Sequence, residues 1–90
     1  MEDEKYKNYV IDLISIIKKQ AKEAKLEADH PKEGYDSFNN GYLMAYHTVI
    51  DFMKNQTEVF NIDQEDVGLA DIEPERDLLW SQSGLFHEVF

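Results

Sequence analysis

His47 and Asp51 stand four residues apart, and Glu58 follows two turns beyond Asp51. On a helix this spacing puts one imidazole and two carboxylates on a shared polar face. Such a trio could hold a divalent metal or form a proton-transfer pair. The same spacing also produces ordinary surface contacts worth about 0.3 kcal/mol. His47, Asp51 and Glu58 are therefore weak metal candidates, and no catalytic residue or cofactor is assigned. Helical nucleotide pyrophosphatases hold magnesium with paired Glu-x-x-Glu motifs. Here Glu23 and Glu27 are four apart, and Glu33 and Asp36 have no second pair, so that chemistry is excluded. Asn61, Asp63 and Glu65 alternate as a calcium loop begins. The required glycine then falls on Asp66 and the closing glutamate on Ile72, so a capped polar turn is expected instead.

Other chemistries lack their residues. The chain has no cysteine, which removes disulfides, thiolate nucleophiles and cysteine-based zinc sites. Its four glycines are not clustered, so no phosphate-cradling loop or dinucleotide fingerprint is present. Lys18, Lys19, Lys22 and Lys25 form the one basic cluster, with Glu23 and Glu27 beside it. A solvated helix end is expected there. Tyr35, Tyr42 and Tyr46 lie near one edge of the second helix, where aromatics usually serve a core or an interface.

Positioning these residues falls to 90 amino acids, enough for one domain. The apolar fraction of 42% exceeds that of a disordered chain. Nine basic residues against nineteen acidic ones give a net charge of −10, which argues against direct nucleic-acid or anionic-membrane binding. The charge is uneven. Residues 1–57 hold ten acids and eight lysines, and residues 58–90 hold nine acids and one arginine. Asp63, Glu65, Asp66, Asp71, Glu73, Glu75 and Asp77 could thus form an acidic surface for a basic protein partner. No stretch reaches the roughly 20 apolar residues of a membrane span, and the polar start Met-Glu-Asp-Glu-Lys is unlike a secretory leader. A cytoplasmic protein is expected.

Apolar residues from Tyr6 to Ala28 recur at helical spacing, which predicts an amphipathic helix over about 3–28. Pro31 stops it. A second helix is expected over about 35–60, capped by Asp36 or Ser37. Phe38 stays in phase with Tyr42, Ala45 and Val49, so this helix should run unbroken through Gly41. Its apolar positions sweep roughly 200°, wider than one neighbour covers. After Phe60, Asp63 and Gly68 should bracket one short helical turn, and Pro74 should open another over 75–82.

From Phe38 the residues read Phe38-x-x-Gly41-x-x-x-Ala45-Tyr46-x-x-Val49-Ile50-x-x-Met53-x-x-Gln56, then Phe60-x-Ile62. Gly68-Leu69-x-Asp71-Ile72-x-Pro74-x-Arg76-Asp77-Leu78-Leu79 follows. This pattern over 38–79 resembles small bacterial helical proteins that form a family of unknown function. The resemblance implies a helical fold and a bacterial or phage origin, and it implies no catalytic residues.

The expected fold is all-α: an antiparallel helical hairpin with short C-terminal helical turns, in a single domain whose residues 61–90 form an acidic, apolar-studded cap or tail. A homodimer closing a four-helix bundle would cover the leftover apolar arc. Its interface is expected at Tyr42, Leu43, Tyr46, Ile50, Met53, Trp80, Phe86 and Phe90. The expected function is a non-catalytic protein–protein interaction module. An acidic inhibitor imitating nucleic acid in a basic groove is the second function considered, and a metal-dependent enzyme the third.

Overall fold

The computed structural model describes residues 2–79, and everything said of the structure concerns these. The expectations for Trp80, Phe86 and Phe90, and for the rest of the tail, lie outside them. Two long helices dominate: α1 (Glu2–Asp29) and α2 (Asp36–Val59). A single helical turn, α3 (Gln64–Val67), and a π-helical turn, Glu75–Leu79, follow. There is no strand among the described residues.

The bounds of α1 and α2 fall within one residue of those expected. α2 passes unbroken through Gly41, whose Cα faces open space. Its start differs from expectation. Neither Asp36 nor Ser37 caps it; Tyr35 occupies the capping position without a side-chain bond, and Asp36 lies inside the first turn. There its carboxylate acts through the helix dipole.

α1 and α2 pack as an antiparallel hairpin. Near the connecting turn the Asn39 side-chain amide donates to the Glu27 carbonyl at 3.2 Å. Asn39 is buried, and this bond satisfies a group that burial would otherwise penalise. On α1 the small side chains Ala21 and Ala24 let the helices approach, and Ile14 fills the space further on. Leu43 and Ile50 face them from α2.

The C-terminal segment closes one side of this pair. Asp63 accepts the Glu65 amide at 3.0 Å and caps α3, and Gly68 ends it in the left-handed region at φ 81°. Val67, Leu69, Ile72 and Leu78 then enter the core. Two lysines strap the segment down, one from each long helix. Lys18 donates to the Gly68 carbonyl at 2.8 Å and to Asp71 at 2.5 Å. Lys54 donates to the Ile72 carbonyl at 2.6 Å and contacts Glu73 at 3.5 Å. Gln64 adds a bond to the buried Thr57 hydroxyl at 3.1 Å. The lysine stems lie along apolar surface while their ammonium groups reach carbonyls that have no helical partner.

The expected basic cluster is therefore not one solvated surface. Lys18 is spent on the C-terminal segment, and Lys25 pairs with Asp29 at 2.7 Å. Position on the wheel decided this, since Lys18 and Lys25 lie toward the packed side of α1.

Candidate functional site

The proposed metal trio is not brought together. The His47 ring nitrogens are buried without a hydrogen-bond partner among the described residues. Asp51 and Glu58 instead line a shallow cleft with Lys54, Gln64 and Glu73. The Lys54 ammonium in this cleft contacts Glu73 and the Ile72 carbonyl. Among the described residues no three His, Asp or Glu side chains converge at metal-binding distance.

The acidic surface is partly consumed from within. Asp63 caps α3. Asp71, Glu73 and Asp77 contact Lys18, Lys54 and Arg76 respectively. The bond from Lys18 holds the Asp71 carboxyl below the ordinary carboxylate range, against the opposing effect of burial. The Arg76 guanidinium does the same for Asp77, and is itself held above its usual value by that carboxylate. Asp77 also accepts the Glu73 amide at 2.8 Å, tying the entry of the π-helical turn. Glu65, Asp66 and Glu75 remain as exposed carboxylates. The seven acids thus do not form one uniform negative face.

The expected interface divides. Leu43 and Ile50 are corrected: they are buried in this chain's own core, with Ile50 at 0% exposure, so neither offers area to a partner. The α1 helix and the C-terminal segment claim that arc of α2. Tyr46 and Met53 are partly buried against the core, and Tyr42 is exposed.

A different apolar surface stands open. On α2, Phe38, Tyr42, Ala45, Val49, Phe52, Gln56 and Val59 alternate by four and three residues, and all are exposed. This is the 3.5-residue repeat of helices that pack side by side along a seam. Phe38, Phe52 and Val59 are 65%, 63% and 70% exposed. On α1, Tyr6, Tyr9, Leu13 and Ile16 follow the same kind of spacing and are also exposed.

Both stripes lie on one side of the hairpin. At about 100° per residue, each is centred about 160° from the lysine that straps the C-terminal segment, Lys18 on α1 and Lys54 on α2. In an antiparallel pair, equal offsets place both stripes on the face opposite that segment. The charges of α2 agree: Asp36, Asp51, Lys54 and Glu58 all fall within an arc of about 60° around the strapped side. The open face of α2 carries no charge, and charge depletion marks the centre of protein interfaces.

The aromatic residues at the turn end belong to this face. Tyr35 and Phe38 meet edge to face at 6.4 Å, Phe38 and Tyr42 stack at 6.0 Å, and Tyr42 and Tyr46 meet edge to face at 5.1 Å. The Tyr42 and Tyr46 hydroxyls lie 3.4 Å apart, and this bond holds the Tyr46 phenol above its ordinary pKa. The three tyrosines do not surround a common cavity. Only Tyr35 lines the depression at the turn, with Leu26, Glu27, His30 and Phe38.

Phe38, Val49, Phe52 and the α1 stripe, exposed apolar residues of this face, were not among those the sequence singled out. The signal was present in the alternation by four and three and in the one-sided charges of α2. No helix among the described residues is long and apolar enough to cross a membrane. No family model, curated protein or solved structure matches this chain.

Proposed function

We propose that this chain is a non-catalytic helical protein–protein interaction module of bacterial or phage type, working in the cytoplasm as a homodimer whose two hairpins close a four-helix bundle. One observation carries the proposal: the open apolar face formed by α2, whose open side carries no charge, and by Tyr6, Tyr9, Leu13 and Ile16 of α1. With aromatic side chains contributing about 150–250 Å² each when fully covered, this face offers on the order of 1,000 Å² of apolar surface per chain. Monomeric proteins leave patches of about 300–600 Å² uncovered. A standard interface buries about 800 Å² per partner, so the face is large enough for a stable complex.

Docking of the acidic segment in a basic groove is less favoured, because Lys18, Lys54 and Arg76 already contact three of its carboxylates. Sedimentation equilibrium at high micromolar concentration tests the dimer. The expected mass is twice the 10.6 kDa of the chain. A strict monomer overturns the dimer.

A further inference from the structure

The C-terminal segment covers its side of the hairpin only in part. Lys18 holds it at Gly68 and Asp71, and Leu79, the last described residue, shares a groove with Ala28 and Asp29, nearer the turn. Leu43 and Met44 of α2 line the other wall, and the cavity measures about 240 Å³. Pockets for small molecules run from about 300 to 1,000 Å³, so this one suits a single large side chain. It belongs to the strapped side of the hairpin. Lys25 and Asp29 lie about 20° from Lys18 on the wheel of α1, and Leu43 lies about 20° from Lys54 on that of α2.

The groove also holds an acceptor that lacks a donor. Asp29 Oδ1 takes the Lys25 ammonium at 2.7 Å, and the two side chains are 10% and 13% exposed. Asp29 Oδ2 is buried with no hydrogen-bond partner among the described residues. A buried carboxylate oxygen without a donor destabilises the fold. Trp80 follows Leu79 directly, so its Cα lies about 3.8 Å from one wall of the groove. Indole is a large apolar ring with one N–H donor and no acceptor, and a buried indole bonds through that N–H. The groove requires apolar bulk and one donor. Trp80 supplies both, whereas Phe86 and Phe90 offer bulk alone, and Ser81 and Gln82 offer a donor alone. We infer that this groove is the seat of Trp80 of the same chain, with the indole N–H donating to Asp29 Oδ2. The seat extends the strapped side toward the turn and leaves the open face of α1 and α2 to a partner. It is independent of whether the chain dimerises.

The chain has one tryptophan, which makes the test direct. In the full-length protein, Trp80 emission is expected at shorter wavelength than in urea, with acrylamide quenching reduced severalfold and unchanged on dilution from high to low micromolar concentration. Ala28→Phe fills the groove from within and should restore most of the quenching. Phe52→Ser, on the open face, should leave the quenching as it was. In an isotope-labelled chain, the one indole N–H resonance is expected to move, and to exchange faster with solvent, when Asp29→Asn weakens the acceptor. A Trp80 fully open to quencher in a helical chain overturns the proposal. Shielding that fades on dilution, or that Phe52→Ser removes, places Trp80 against a second copy and overturns it too. Shielding that survives Ala28→Phe, with an indole resonance unmoved by Asp29→Asn, does the same. Circular dichroism on every variant keeps loss of helix distinct from loss of the seat.

Discussion

Lys54 shows how much one side chain can decide. Its ammonium reaches the Ile72 carbonyl, and its stem is largely buried. Lys54→Met keeps the stem and removes the donor. The carbonyl is then left without its partner, which should cost about 1–3 kcal/mol, read as a lower midpoint in urea. Asp71 and Asp77 carry the acid response. Both carboxyls are held below their ordinary values in the folded chain, by Lys18 and Arg76 respectively. Their contribution is complete above the unfolded carboxylate value of about 3.9 and is lost as pH falls through the lower folded values. Asp71 is largely exposed, so solvent screening keeps its contribution small. The Asp77→Asn variant should therefore lose stability at neutral pH and flatten the decline below about pH 4, measured as midpoint against pH. Neither lysine's partner is legible in the chain order. Lys18 lies 53 residues from Asp71, and only the fold joins them.

At the scale of elements, local rules served well where the structure they govern is local. Pro31 ends α1, Asp63 caps α3, and Gly68 closes it at a positive φ. Gly68→Ala should lower stability by about 1 kcal/mol, because an L side chain is strained there whatever the space around it. Gly41 sits in a helix interior with open space at its Cα, so Gly41→Ala should raise the stability of the isolated hairpin by about 1 kcal/mol in a thermal melt. The expected cap at Asp36 failed because the chain enters α2 one residue earlier than that cap needs, which puts Asp36 inside the first turn. The wide apolar arc of α2 was read correctly as needing more than one partner. Which part of the arc went to which partner was not readable. Ile50 and Val49 are neighbours in sequence and alike in type, yet one is fully buried and the other is exposed.

For the whole molecule, the arrangement is a two-helix layer covered on one side. Ile50→Ala removes a fully buried side chain from that covered side and should cost about 2–5 kcal/mol, measured by chemical denaturation. Phe52→Ser changes the open side, where the side chain touches solvent. The isolated chain should keep its helicity and its denaturation midpoint at low concentration, while the dimer proposed above should dissociate at much lower dilution, read by sedimentation. The pair of variants separates core from interface. It also distinguishes α2 residues that the sequence alone placed in one interface, since Ile50 belongs to the first class and Tyr42 to the surface.

The sequence by itself determined the two helices, the turn between them, the capped turn after them and the uneven charge, because each follows from residues within a few positions of one another. Only the tertiary structure decided where the acidic segment folds back. It lies on the side of the hairpin that carries Lys18 and Lys54, and so becomes a strapped lid with part of its charge met from within. That choice depends on ammonium-to-carbonyl contacts between residues far apart in the chain, which no local pattern encodes. By covering one side, it also left the other side, apolar and free of α2 charge, as the surface open to a partner.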